Sequence, residues 1–374
     1  MAVDVDALER VVSEVITPNA GAVDANGEFP VRSLDALQAN GLMGLTTSSA
    51  VGGGGGSMAD AAIVVEKLAG ACGSTAMVVL MHYAANGIIE AHGSEEVRRD
   101  IGAGSHLTTL AFSEAGSRSH FWAPAGTATA EADRVRLDAK KSWVTSAANA
   151  TSYVWSSRPV AADGPMSLWL VLADTPGLEI GGPFDGLGLR GNGSVPVNAS
   201  GVVVGRDAQL GDDGAGLDVA LATALPWFLV LSTAFALGLM EAVTKEAGDH
   251  VNTTRLEHLD IPLVGQPIVR ADYARMRITT DSTRAFLADT LAALGADRED
   301  AVLRVLESKA IAAEAAIDVT DLAMKVCGGA AFRKEVGIER RFRDARAARV
   351  MAPTTDALLD FVGRAISGMP LLDA

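Results

Sequence analysis

The sequence predicts an α+β fold, mainly α: an N-terminal helical domain over residues 1–104, a middle antiparallel β domain over 105–213 and a C-terminal four-helix bundle over 214–374. Three observations predict it. Apolar residues recur at helical spacing in the first and last parts of the chain. Short apolar runs separated by Gly, Pro, Asp and Asn fill the middle, a strand-and-turn texture. The chain has 374 residues, 49% of them hydrophobic and 21% charged. That is long enough for two or three structural units around a large core, and it lacks the composition of a disordered chain.

The elements follow in order. Ala7, Val11, Val15 and Ile16 mark a first helix; Leu34, Leu37 and Leu42 follow Pro30. Ala59–Leu68 and Ser74–His92 predict two more helices, rich in Ala, Val, Met and Leu. Gly52–Ser57 reads either as a flexible linker or as a tight loop where backbone must approach something closely. Strands are predicted at Leu107–Phe112, Val135–Leu137, Trp143–Thr145, Tyr153–Trp155, Leu168–Leu172 and Val202–Val204. From Gly214 onward long helices return. Phe286, Leu287, Leu291 and Leu294 form one stripe; Leu358, Val362 and Ile366 form another. Val219–Met240 carries no charge over 22 residues, enough to span a bilayer. Pro226 and Ser232-Thr233 interrupt it and no basic cluster flanks it, so a helix buried in a bundle is expected rather than membrane insertion.

Several function classes are excluded. The formal net charge is −15, and no basic face for a nucleic acid is evident. Cys72 and Cys327 are far apart in apolar surroundings and read as buried thiols in a reducing compartment. No His or Cys cluster has zinc spacing, so no metal is expected. The acidic, amphipathic N-terminus is not a signal peptide, and a cytoplasmic location is expected. No Gly-x-Gly-x-x-Gly follows a strand and no Walker loop occurs, which argues against a Rossmann nucleotide site. The Ser-rich loop at 113–120 lacks the Gly-x-Ser-x-Gly elbow of a hydrolase and also reads as a polar turn.

The last part of the chain, Lys325 to Asp356, reads KVCGGAAFRKEVGIERRFRDARAARVMAPTTD. It resembles the end of an acyl-CoA dehydrogenase. Ala111 to His120 resembles that family's A-x-[ST]-E-P-x-A-G-S-D loop, Trp143-Val144-Thr145 its W-[IV]-T, and Gly328-Gly329 its Q-x-x-G-G. Arg255 stands eleven residues before Gln266, as in its R-x-x-F-G…Q element. The resemblance covers nearly the whole chain, including Phe29-Pro30, Gly41-Leu42 and the loop at 52–56. It implies FAD lying between the β domain and the bundle. By resemblance Ser113 meets the pyrimidine edge of the flavin, Trp143 lies against the ring, Val144 belongs to the same cofactor-binding motif, and the Thr145 hydroxyl reaches N5. Arg255, beside Gln266, reaches the pyrophosphate of a neighbouring subunit, so a homodimer or homotetramer is implied. Lys325, Gly328 and Gly329 fall on the adenosine side, and Thr354 occupies the family's Thr next to the base.

The pattern departs where substrate chemistry occurs. The family's catalytic Glu, in Y-E-G-T, is Ala352 here, within Met351-Ala352-Pro353-Thr354. An alternative base position, before Gly238-Leu239-Met240, is Phe228, followed by Leu229 where an Arg is common. His120 replaces the Asp of the loop and Lys325 a Gln. A positioned carboxylate contributes roughly 10²–10⁴ to such a proton transfer. Candidates to replace it are His82, His120, Glu114 and Asp356, each of which also reads structurally: a core histidine, a loop residue, a loop brace and a helix-start carboxylate. Ser119, Phe228 and Leu229 are expected at an apolar substrate site. Three activities follow: FAD-dependent oxidation of a hydrophobic acyl thioester, a flavin monooxygenase on the same fold, or a non-catalytic partner subunit in a mixed oligomer. The electron acceptor is not specified by the sequence.

Overall fold

A computed structural model describes residues 3–117 and 120–372. The chain divides into two compact units: residues 1–64, 74–186 and 190–228, and residues 65–73, 187–189 and 229–374.

The first unit opens with α1 (Val5–Val11), a π turn (Val12–Ile16), α2 (Thr17–Asn26) and α3 (Val31–Ala39). Asp4 caps α1 by accepting the Ala7 N–H at 3.0 Å. The Gly-rich stretch is an ordered turn, not a linker: Gly54 N donates to Gly44 O and Gly56 N to Leu45 O. A Cβ at Gly53 would sit 2.3 Å from the Thr47 carbonyl, so only glycine permits this approach. Next come α4 (Met58–Ala71), whose second half belongs to the other unit, α5 (Gly73–His92) and α6 (Glu95–Gly102), the last capped by Ser94.

Seven strands follow: β1 (Thr108–Ala111), β2 (Thr127–Glu131), β3 (Arg134–Val144), β4 (Ser152–Ser157), β5 (Ser167–Leu172), β6 (Leu178–Ile180) and β7 (Val195–Gly205). They form two sheets, ordered β1-β4-β5 and β2-β3-β7-β6. Tyr153, Trp155 and Trp169 from one sheet share a core with Val135, Leu137, Val197 and Val202 from the other. The expectation of an all-antiparallel domain needs one correction: β1 pairs with β4 in parallel. A parallel pair requires a long crossover, and the segment carrying β2 and β3 supplies it. The runs at 135–137 and 143–145 are not separate strands: both fall on β3, apart from Thr145 just beyond it.

A helical stretch over Gly216–Thr253 is long and apolar enough to cross a membrane, but 61% of its most apolar window is buried inside the protein. It breaks at Thr223 into α7 (Gly216–Ala222) and α8 (Ala224–Thr253), with Pro226 tolerated in the first turn of α8. The second unit holds most of α8, the small hairpin β8 (Arg255–Leu256) and β9 (Ile261–Pro262), α9 (Pro267–Gly295), α10 (Ala301–Cys327), α11 (Ile338–Val350) and α12 (Thr355–Ile366). Helix α10 packs against α9, α11 and α12 through its small residues, among them Ala312, Ala313 and Ala316. The α12 stripe is only partly a core stripe: Leu358 is buried, whereas Ile366 is exposed.

Ion pairs fasten this unit. Arg277 and Arg284 of α9 both grip Glu241 of α8, and Arg284 also reaches Glu66 of α4. Arg341 of α11 is buried and donates Nε and Nη2 to Glu246 of α8 at 3.0 and 2.8 Å. Removing one partner of such a pair strands the other. Glu246→Ala should therefore cost about 3 kcal/mol. The expected result is a lower urea midpoint at unchanged m-value, with most of the loss recovered in Glu246→Met/Arg341→Met.

Candidate active site

The end of β3 is where the first unit becomes unusual. Residues 135, 137 and 141 point inward along the strand, as alternation demands. Between Lys141 and Val144 the register with β7 slips by a bulge. A bulge re-aims a side chain. Trp143 is turned out of the sheet, 71% exposed, with φ 55°. Ser146 also has positive φ, at 61°. Two left-handed non-glycine residues in four positions store strain. The Ser146 hydroxyl is buried without a hydrogen-bond partner among the described residues.

Trp143 borders a cavity of about 400 Å³ with Ser142, Ser194, Pro196 and the loop Gly182–Asp185. Phe184 meets its indole edge-to-face, ring centroids 6.4 Å apart. Val144 is buried and pairs with Val195. The buried Thr145 hydroxyl shares a 3.0 Å hydrogen bond with the Ser194 hydroxyl. Asn192 Oδ1 accepts the Ser194 N–H and steadies that partner.

The loop after β1 is tied to the same place. Ser113 O accepts the Ser142 N–H at 2.9 Å. Glu114 is buried and accepts from Ala125 N, Gly126 N and Lys141 Nζ. Lys141, fully buried, also donates to Ser156 O and Oγ and lies over the Trp155 ring. Burial pulls the Lys141 amine down to about 8, although the Glu114 carboxylate pulls the other way. Ser119 lies outside the described residues.

The four candidate proton acceptors separate clearly. Glu114 is committed as a brace, so it is not a free base. His82 is corrected likewise to a core histidine. Its Nδ1 accepts the Thr108 N–H at 3.1 Å, which leaves Nε2–H to donate to Met43 O at 3.0 Å. Burial lowers its pKa to about 4. Asp356 is exposed in the first turn of α12, where a carboxylate complements the helix dipole. His120 is exposed, and its Nδ1 meets the Ser117 carbonyl at 3.0 Å. A carbonyl only accepts, so Nδ1 carries the proton and the neutral ring presents a basic Nε2.

Phe228 and Leu229 are both buried in α8, at 8% and 0% exposure. In the second unit, Arg255 is half exposed on the hairpin and donates Nη2 to Asp260 O and Oδ1. Gln266 precedes α9 as its N-cap residue. Lys325 pairs at 2.7 Å with Asp272 of α9, whose carboxylate is buried and also takes Arg275. The Lys325 ammonium is the main reason that carboxyl is held below its usual range. Gly328 closes α10 with φ 55° and ψ −137°, a conformation that favours glycine. A Cβ at Gly328 or Gly329 would meet no protein atom within 4 Å, so both backbones face open space. Ala352 is half-buried between α11 and α12, and Thr354 caps α12 through the Ala357 N–H.

Some residues that organise the site were missed in the sequence. Lys141 occupies an inward phase of β3, and Lys309 sits on the apolar stripe of α10. A cation in phase with core residues was the available signal. Asp344 stands in the Arg343-Asp344-Ala345-Arg346 run that belongs to the family resemblance, but its contact was not foreseen. Its carboxylate accepts the Leu189 N–H at 2.6 Å, while Arg343 holds Leu187 O and Glu339.

With this geometry in hand, the relatives are informative. Sequence models of the N-terminal, middle and C-terminal domains of acyl-CoA dehydrogenase match residues 5–103, 109–215 and 214–367. The chain belongs to the acyl-CoA dehydrogenase family, a class of flavin oxidoreductases. Human mitochondrial short-chain specific acyl-CoA dehydrogenase is 26% identical over 347 residues, covering 91% of this chain and 83% of the human protein. Cyclohex-1-ene-1-carbonyl-CoA dehydrogenase of Geobacter metallireducens is 25% identical over 372 residues and covers 96% of each. Butyryl-CoA dehydrogenase from Megasphaera elsdenii superimposes with a TM-score of 0.91 at 20% identity, over 98% of this chain and 99% of that one. The FAD complex of PigA gives 0.88 at 18% identity over 97% of each. These two likenesses carry the fold.

Burial makes His82 an acid-sensitive element. Its pKa is about 4 when folded and near 6.5 when unfolded, so the unfolded chain binds the extra proton between those values. Stability is intact above pH 6.5 and falls by about 1.4 kcal/mol per unit as pH drops toward 4. Urea titrations at pH 7, 5.5 and 4.5 should show this slope, and it should be shallower in His82→Gln.

Proposed function

We propose that this chain binds FAD and oxidises an acyl thioester or a related hydrophobic carbonyl compound by hydride transfer to flavin N5. The observation that carries the reading is Trp143: an exposed indole, held in strained backbone beside a cavity of about 400 Å³. That volume lies in the usual range of small-molecule sites, roughly 300–1,000 Å³. The residues present fit a flavin. An indole face suits an aromatic ring, and hydroxyls at Ser113 and Thr145 can hydrogen-bond its heteroatoms; in the second unit taken by itself, the open glycine backbone at Gly328-Gly329 suits close approach of a nucleotide.

When bound, FAD supplies the hydride acceptor. The chain's own residues bind and orient. With Ser194 as donor in the hydroxyl pair, the Thr145 proton is released to point at the ring. Arg255, anchored by Asp260 and exposed on its hairpin, suits the pyrophosphate of a second copy, because a guanidinium grips phosphate oxygens through a fork of donors. This supports a homodimer or homotetramer. Lys325, held by Asp272, and Gln266 border the adenosine side, and Thr354 orders the start of α12. Phe228 and Leu229 contribute apolar wall. Ala352 takes no proton, and among the four candidates His120 Nε2 is the acceptor whose surroundings leave it available.

The purified protein should be yellow and release FAD on denaturation. Trp143→Ala should bind FAD at least about tenfold more weakly with little change in Tm, since an exposed side chain contributes little to packing. A colourless protein that takes up no added FAD would overturn the reading.

Anaerobic acyl thioester should bleach the flavin slowly. A carboxylate restored by Ala352→Glu should speed bleaching by roughly 10²–10⁴. No acceleration, in a variant that still binds FAD, would mean the site is shaped for another reaction.

A further inference from the structure

The segment that presents position 352 is held from below by a charge that the reaction does not use. Lys309 lies on α10 among Val305, Leu306, Ala312 and Ala313, 1% exposed. Its ammonium donates to Ala348 O at 3.1 Å, Met351 O at 3.0 Å and Pro353 O at 2.8 Å. The first is in the last turn of α11, whose terminal carbonyls lack helical partners and carry the negative end of the dipole. The other two flank Ala352 on either side.

We propose that Lys309 is a positioning residue, which ties the carbonyls of Ala348, Met351 and Pro353 and so fixes the backbone from which side chain 352 projects. Three features support this. An ammonium has three protons, and three backbone carbonyls lie within hydrogen-bond distance of it. A buried lysine is costly unless it is satisfied in this way, and burial does draw its pKa down to about 7. The acceptors span a helix end and a turn, so the tie sets the angle between α11 and the following segment rather than merely filling the core. The link to catalysis rests on the reading of position 352 given above; the tie itself does not.

Both native cysteines are buried, so a cysteine placed at 352 can be labelled selectively. Ala352→Cys carrying a nitroxide should give an immobilised spin-label spectrum at pH 6. Adding Lys309→Met should convert most of the signal to a mobile component. Lys309→Gln, a shorter arm with two donors, should fall between and stands in if the Met variant does not fold. Val305→Ala, one turn earlier on α10, weakens the core without touching the loop carbonyls and should leave the label immobile. In the Ala352→Glu background, Lys309→Met should lower kcat by about tenfold to a hundredfold, with KM changed less than about threefold, as expected when a reacting group is misplaced by an ångström. A label that stays immobile without Lys309, or that is equally mobile in Val305→Ala, overturns the proposal. A label that is immobile with Lys309 and mobile in Lys309→Met, combined with an inactive Ala352→Glu variant, overturns the reading of position 352 and leaves the tie standing.

Discussion

The arrangement of the first unit depends on one buried ion pair. Lys141 and Glu114 are 0% and 3% exposed, 2.8 Å apart, and neither is satisfied by the other alone. The carboxylate also takes two backbone N–H groups from 125–126, and the ammonium takes the carbonyl and hydroxyl of Ser156. The pair thus joins the loop after β1, the strand whose penultimate residue is Trp143, and β4. Desolvating two such charges costs several kcal/mol per ion and is offset only when every donor and acceptor is used. That demand specifies geometry. The loop cannot drift from the strand without stranding a charge, and so Ser113 and Trp143 are kept in register. It also explains how strained backbone at 143 and 146 persists: the surroundings over-determine it.

In the second unit the same logic uses arginine. Planar guanidinium groups on α9 and α11 reach carboxylates on α4 and α8 in forked geometry, which fixes helix rotation as well as distance. The Arg343-Asp344-Ala345-Arg346 run belongs to this network. Asp344 secures the Leu189 backbone, Arg343 secures Leu187, and Arg346 lies over the Phe342 ring. In this chain the run therefore serves as a brace.

That distinction governs what the sequence revealed. Helices were legible because apolar periodicity reports directly on burial, as in Ala59–Leu68 and Ser74–His92, which lie within α4 and α5. Strands β4 and β5 were legible as short apolar runs. Strands β2 and β6 were not, because TATAE and LEI face largely outward and carry no apolar signal. The join of two runs into β3 was hidden by Asp138, Lys140 and Lys141, of which the last is a core residue only because Glu114 meets it. The parallel pairing of β1 is a long-range fact, set by a crossover that no local window contains. At the site, Trp143 was identified by pattern, whereas its exposure and its bulge required coordinates. The choice among His82, Glu114 and His120 likewise turned on where backbone N–H and C=O groups lie.

The side chain at 352 and the tie beneath it are two separable properties of one segment. What side chain stands at 352 decides whether a proton can be taken there. Where that side chain stands is decided by carbonyls at 348, 351 and 353, which belong to the backbone and are indifferent to the residue between them. On the proposed reading of position 352, Ala in place of Glu changes the side chain and leaves these three hydrogen bonds untouched. The tie does not depend on the methyl group of Ala352, because its acceptors are backbone carbonyls. On the same proposed reading, the exposed His120, whose Nδ1–H donates to the Ser117 carbonyl, offers Nε2 as an acceptor from outside this segment.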